Sequence, residues 1–398
     1  MRVLIVHERY RQRGGEDVVV ESEAALLARN GVEIDLLLGD NTAIEGQGSV
    51  GLALRALWSR EGHALTRAAI DRFQPDVVHV HNSFPLLSAS VFEAAHGMGV
   101  PVVQTLHNYR LLCANALLLR DGSRCEDCVG RIFQGPGVRR GCYRGSPAAT
   151  AAVAGYALSQ RLIGVWGRRV TLYHALTPSA AERFARGGIP ADRLVVRPPL
   201  LEYPSALEPG GGEPRQGALF VGRLSPEKGL DSLLTAWRGV EAPLDVIGDG
   251  PEMERLRRMA PAQVRFHGRQ PAAAVARAMA RAALLVFPSL CYEMFPLTVA
   301  EAMAAGLPTL CADGGAAADV LGEAGEPSLF ARPGDAADWR DKAAALLADP
   351  ANLIRLGAAG REAWRARLAP EATVAAALAL YRRAISGGPD GTAPSESG

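Results

Sequence analysis

Two glutamates eight positions apart, Glu293 and Glu301, bracket a proline and an apolar run in "CYEMFPLTVAEAMAAGLP", Cys291 to Pro308. Pro296 suits the first position of a helix, where its missing N–H has no intrahelical partner and its ring already holds a helical φ; Gly306 and Pro308 stop that helix. Leu297, Ala300, Met303 and Ala304 recur at helical spacing and predict one face laid on a core. Glu293 then lies in the loop ahead of the helix and Glu301 about one and a half turns inside it, with the unpaired N–H groups of the first turn forming an anion site between them. Such an arrangement suits a ligand with a charged middle and hydroxyl-rich ends. A sugar nucleotide has that form: sugar, diphosphate, ribose.

Cations stand nearby in the same half of the chain. The strand pattern "ALFVG" runs into "RLSPEKG", where Ser225 can cap and Pro226 can open a helix, so that Arg223 and Lys228 project at the strand exit and the first turn. Two cations there could clamp a diphosphate. Taken alone the pair reads more readily as solvated surface charge; the company of Glu293 and Glu301 at strand ends favours the clamp.

The elements that must position these residues come in two runs. In the first half, "VLIV" (Val3 to Val6), a loop with Gly14 and Gly15, a helix from about Asp17 to Asn30, "EIDLLL", "DVVHVHN", a helix through Ala95, "PVVQTLHN" and "TLYHALTPS" alternate strand and helix. Pro and Gly then concentrate without apolar periodicity around 198–216, which marks a linker. Six strand candidates follow: "GALFVGRL", "LDVIGDG", "QVRFHGR", "ALLVFPS", "LPTLCAD" and "PSLFA". Strands alternating with helices imply parallel sheets covered on both faces. The expectation is an α/β protein of two Rossmann-like doubly wound domains facing an interdomain cleft, with ligands at the carboxyl ends of the strands. The expected boundaries are 1–200, a linker at 201–216, 217–370, a C-terminal helix at 371–386 packing back on the N-terminal domain, and a disordered tail at 387–398.

Bulk composition agrees with two domains and excludes several functions. A chain of 398 residues, 48% hydrophobic, exceeds one ordinary core. Lys+Arg 43 against Asp+Glu 42 gives no long-range pull towards nucleic acid, and there is no basic stripe laced with aromatics. The opening "MRVLIVHERY" reads directly as a buried strand rather than a charged leader, and no apolar run reaches about 18 residues, so a cytoplasmic protein is expected.

"VGRLSPEKG", "VIGDGP", "FHGR" and "YEMFPLTVAEAMAAGLP" together resemble the retaining glycosyltransferases of family 4, which have the GT-B architecture and an E-x7-E motif. The resemblance covers nearly the whole chain and is strongest from Ala218 to Gly334. It implies that Glu293 contacts hydroxyls of the transferred sugar and Glu301 the ribose. It also implies that Arg223 and Lys228 hold the diphosphate, with backbone groups around Phe295 and Leu297 over the phosphates. The loop "FHGRQ", near His267 to Gln270, matches the resting place of the nucleobase. Gly14 and Gly15 match the loop beneath the donor phosphates, where the absence of Cβ allows close approach; "RGGED" is not the G-x-G-x-x-G of dinucleotide enzymes. His107, at the end of a strand, matches a histidine that reaches the donor sugar, although a lone strand-end histidine is also commonly structural. His79 and His81 are given a supporting or acceptor-side role. Two departures stand out: Met294 is often a smaller residue in the family, and Pro296 removes one backbone donor.

The implied activity is a hexosyltransferase that passes sugar from a nucleotide diphosphate donor to a glycan or lipid-linked acceptor, as in polysaccharide biosynthesis, without a catalytic metal; no D-x-D pair with convincing context is present. Cys113, Cys125, Cys128 and Cys142 have the spacing to wrap one structural zinc and could equally be four reduced thiols; Cys291 and Cys311 are expected to be buried thiols. Arg110, Arg120, Arg124, Arg131, Arg139, Arg140 and Arg144, with Ile132 and Phe133 among them, suit either a peripheral contact with anionic lipid at the inner face of the plasma membrane or a solvated loop. Two other readings remain at this point: a silent sugar-nucleotide-binding scaffold, and a glycoside hydrolase built on the paired carboxylates.

Overall fold

A computed structural model describes residues 1–9, 14–40, 49–203 and 215–387. The expected linker and tail lie mostly outside these residues. The first sheet is built from Arg2–Arg9 (β1), Glu33–Asp40 (β2), Val77–Asn82 (β3), Val102–Leu106 (β4) and, after a hairpin of Leu119–Arg120 (β5) with Ser123–Arg124 (β6), from Leu172–Ala175 (β7) and Leu194–Val196 (β8). Its order is β2-β1-β3-β4-β7-β8, all parallel. The second sheet uses Ala218–Val221 (β9), Leu244–Ile247 (β10), Val264–Gly268 (β11), Leu284–Phe287 (β12), Thr309–Ala312 (β13) and Phe330–Ala331 (β14), in the order β11-β10-β9-β12-β13-β14, also parallel. Both orders reverse direction once, between β1 and β3 and between β9 and β12. Such a reversal leaves a crevice at the carboxyl ends of the two strands, because their connections leave to opposite sides.

The chain divides into two compact units, 1–116 with 126–202 and 370–398, and 117–125 with 203–369. In the first, the apolar faces of β1, β3 and β4 (Val3, Ile5, Val77, Val103) pack with Leu26 and Leu27 and with Ala377, Leu380 and Tyr381 of the helix Pro370–Ile385. In the second, β9, β10 and β12 pack on two indoles, Trp237 and Trp339, neither of them exposed. The central strands are buried on both faces, which is why they read as largely apolar runs, with His79 and His81 the exceptions in β3. Helix starts follow local chemistry: the hydroxyls of Ser59, Ser146 and Thr177 accept from Gly62, Ala149 and Ala180 N–H. The hairpin 117–125 lies within the expected N-terminal insertion, yet it groups with the second unit, because Arg124 donates to the carbonyls of Leu290 and Gly314 (3.3 and 3.0 Å) and lies over the Tyr292 ring.

Candidate active site

In the second unit the loops leaving β9 and β12 are stitched together. Gly229, at φ +70°, would place a Cβ 2.2 Å from the Pro288 carbonyl oxygen, so only glycine permits this approach. Leu290 N–H donates to the Glu227 carbonyl at 2.8 Å. The result brings Lys228 to Glu293: Nζ lies 2.6 Å from Oε1, and the Ser289 hydroxyl donates to the same oxygen at 2.6 Å. Both side chains retain about a fifth of their exposure, 22% and 19%. Burial works against charge on each, but their mutual attraction outweighs it, holding the Glu293 carboxyl below and the Lys228 ammonium above its ordinary range. Arg223 stands exposed at the exit of β9, and among the described residues no ion pair joins it to Glu293 or Glu301.

The helix that follows Glu293 and carries Glu301 runs Leu297–Ala304, is capped by Ala305 and is stopped by Gly306, φ +61°. Pro296 is its N-cap rather than its first residue. With ψ at 89° it is not helical, and its carbonyl accepts from Val299 and Ala300 N–H at 3.0 and 3.3 Å. Leu297 and Thr298 therefore hold the first-turn N–H groups that have no acceptor within the helix. Phe295 and Leu297 are half-buried; Val299, Ala300, Ala302, Met303 and Ala304 are all buried, so more than the expected single face is covered. The expected helix at Ser225 and Pro226 is only a 3-10 turn, Pro226–Lys228, followed by the helix Leu230–Trp237, and the Ser225 hydroxyl donates to Glu227 instead of capping. Glu301 differs from Glu293: no described side chain hydrogen-bonds its carboxylate, and burial pushes it up to about 7. His267, at the end of edge strand β11, is exposed and bonded to Asp245 (2.7 Å), with Gln270 donating to its carbonyl.

In the first unit, Gly14 caps and Gly15 begins the helix Gly15–Arg29 after β1. Gly14 N–H donates to one oxygen of Asp17 (2.7 Å), whose other oxygen meets His7 Nε2 at 3.0 Å. His107, just beyond β4, is half-buried; its Nε2 lies 2.8 Å from Nδ1 of His81 at the end of β3, and burial, reinforced by the neighbouring His7 and His79, lowers it to about 3. His79 is wholly enclosed between the Tyr381 hydroxyl (2.8 Å) and Thr105 (2.7 Å). Tyr381 in turn donates to Glu23, which also accepts from Arg197 at 3.1 Å. Glu23 was not singled out from sequence, although an acid sharing the helical stripe of Val19, Val20, Leu26 and Leu27 is a readable signal.

None of the cysteines is disulfide-bonded. Cys128 and Cys142 flank Gly137, at which a Cβ would sit 3.5 Å from Cys128 Sγ and 4.0 Å from Cys142 Cβ. Cys113 Sγ donates to Asn115, Cys125 accepts from Arg120, and Cys291 and Cys311 are buried. Of the insertion's arginines, Arg110 stacks on Phe84 and Arg131 and Arg140 bond Asp127, while Ile132 is 71% exposed. No described helix is long and apolar enough to cross a membrane.

Two parallel-sheet α/β units, each gathering polar side chains where its strand order reverses, define the GT-B fold class. Residues 14–199 match the family described as glycosyl transferase 4-like domain and residues 215–349 the family described as glycosyl transferases group 1. The chain is 30% identical over 325 residues to the phosphatidyl-myo-inositol mannosyltransferase of Mycobacterium leprae, covering 79% of this chain and 75% of that one. It belongs to this glycosyltransferase family. It is also 29% identical over 249 residues to the GDP-mannose-dependent alpha-mannosyltransferase of Mycolicibacterium smegmatis, covering 63% of this chain and 59% of that protein's length. Among solved structures, Anabaena Alr3699/HepE in complex with UDP and glucose has a TM-score of 0.65 at 16% identity, over 95% of this chain and 99% of that one.

Proposed function

We propose that this protein is a retaining glycosyltransferase that moves a hexose from a nucleotide diphosphate sugar to a glycan or lipid-linked saccharide. The observation that carries the reading is the Lys228–Glu293 pair, 2.6 Å apart beside the N-terminus of the helix Leu297–Ala304. Cleavage of the anomeric bond builds positive charge on the sugar ring and negative charge on the departing phosphate. Lys228 and the first-turn N–H groups of Leu297 and Thr298 stabilise the second, as preorganised donors that need little rearrangement. With Lys228 and the Ser289 hydroxyl on its Oε1, Glu293 stays ionised and can accept from sugar hydroxyls. Glu301 takes the ribose and Arg223 adds charge to the phosphates. Within the first unit, Gly14 and Gly15 allow close approach to backbone and His107 can meet a ligand hydroxyl. No step calls on a divalent ion. Cys113, Cys125, Cys128 and Cys142 would be the ligands of a structural zinc, which metal analysis of the purified protein tests.

The GDP-mannose-dependent relative favours GDP-mannose as the first donor to try, and the UDP and glucose of Alr3699/HepE put UDP-glucose beside it. The test is release of nucleoside diphosphate from such a panel in the presence of a crude lipid or glycan extract, with the labelled sugar followed. Sugar appearing in the extract with its anomeric configuration kept supports the proposal. Free sugar without acceptor points to hydrolysis, and binding without turnover to a scaffold.

A further inference from the structure

The buried polar groups of the first unit prepare His107 for one kind of partner. Glu23 is completely enclosed, and although burial alone would raise it, Arg197 together with His79 and His81 holds its carboxyl well below the usual range, so it is a pure acceptor. Its Oε1 takes the Tyr381 hydroxyl and the Arg197 guanidinium. Its Oε2 has no hydrogen-bond partner and faces His81 Nε2 at 3.9 Å, a buried ring nitrogen that also has none. A lone pair on that nitrogen would be repelled by the carboxylate, whereas a hydrogen there is attracted, and the low dielectric of the interior magnifies the difference. His81 is neutral because burial and the neighbouring histidines suppress its charge. Its single hydrogen on Nε2 leaves Nδ1 as an acceptor, which faces His107 Nε2 at 2.8 Å; the two rings lie end to end, centroids 5.1 Å apart and planes 25° from parallel.

We infer that Glu23 and His81 are positioning residues that fix His107 as the Nε2–H tautomer, so that its Nδ1 accepts from a hydroxyl of the ligand and does not donate to a phosphate or carbonyl oxygen. The cluster Glu23, His79 and His81 also has the donor types of a metal site. Two facts make the tautomer relay the better account: Arg197 already supplies the positive partner of Glu23, and both ring nitrogens of His79 are bonded, to Tyr381 and Thr105. The inference deepens the proposed glycosyl transfer and rests on it for the identity of the hydroxyl, but the tautomer can be read without turnover.

The chain has 8 histidines, so long-range proton–nitrogen correlation spectra of histidine-labelled full-length protein are sparse, and His107→Gln assigns the ring. At neutral pH the expected spectrum shows hydrogen on Nε2 and none on Nδ1 for both His81 and His107. Hydrogen on Nδ1 of either ring overturns the inference. His81→Phe removes the acceptor and is expected to scramble the His107 tautomer and lower kcat about tenfold, equivalent to about 1.4 kcal/mol, with KM for the nucleotide sugar changed less than about threefold. His81→Asn offers an amide oxygen near the former Nδ1 and is expected to restore both. A His81→Phe protein with unaltered tautomer and kcat overturns the inference, as does an Asn variant no better than Phe. If the wild-type protein turns over no nucleotide sugar, the proposed function fails while the spectra still decide the tautomer.

Discussion

Glu301 offers the sharpest test of the donor site, because its charge is set by burial alone. Its carboxyl rises from 4.5 to about 7 with no cation to hold it down. A ribose diol donates hydrogens, so it binds the ionised form, and binding near neutrality must expel a proton. If the bound diol returns the group to about its ordinary value, affinity rises about tenfold per pH unit between about 4.5 and 7 and then levels, giving about thirtyfold between pH 5.5 and pH 8. A nucleotide diphosphate sugar is the right probe, since a free diphosphate has its own titration in that range. Calorimetry in buffers of different ionisation enthalpy should show proton release that peaks between these pH values and disappears in Glu301→Gln. Stability gives an independent check with the sign fixed in advance. A raised acid contributes stability that is full below 4.5 and lost as pH climbs through 7, by up to about 3 kcal/mol. Glu301→Gln should therefore be the more stable protein at pH 8 and lose that advantage in acid. Equal wild-type affinity at pH 5.5 and 8, or the same pH dependence in the Gln variant, would refute the assignment of Glu301 to a ligand hydroxyl.

Other outcomes follow from the same geometry. Lys228→Ala should weaken nucleotide diphosphate binding at least about tenfold by titration, since it removes the ammonium beside the helix N-terminus. Glu293→Ala should lower kcat about a hundredfold with a smaller change in donor affinity. Arg197→Ala leaves the enclosed Glu23 carboxylate without its cation and should cost about 3–5 kcal/mol in urea denaturation. Because Glu23 is depressed in the folded protein, the wild-type stability it contributes is present above about 4.5 and lost as pH falls through its folded value. Ile132→Asp should reduce sedimentation with phosphatidylglycerol vesicles about tenfold if the exposed tip of the insertion rests on lipid, and unchanged sedimentation would assign it to water.

Much of this was legible where local pattern and tertiary role coincide. β9 to β14 are short apolar runs bounded by Gly, Pro or polar turns, and each forms a strand. Glu293 and Lys228 could be assigned to one ligand on paper because both follow strands that a doubly wound sheet places side by side; their direct ion pair could not. Pro296 reads from sequence as the first helical residue because its ring fixes φ, and φ alone does not distinguish a cap from a first turn; ψ, here 89°, does. β8, three residues long, and the hairpin of β5 and β6, two residues in each strand, are too short to carry periodicity. Glu23 needed partners 174 and 358 positions away to make sense of its burial. The arginines of the insertion looked like one cationic surface, yet several are engaged by Phe84, Asp127 and the carbonyls of Leu290 and Gly314.

The return of the helix Pro370–Ile385 to the first unit bears on how the polypeptide is made. Ala377, Leu380, Tyr381 and Ala384 complete an interior whose other walls emerge from the ribosome hundreds of residues earlier. The half synthesised first must therefore wait, incompletely packed, until Pro370–Ile385 has been made, whereas the half synthesised second can consolidate before it. A nascent chain stalled short of Tyr381 would hold Glu23 without one of its hydrogen-bond donors, exposed to chaperones and proteases until release.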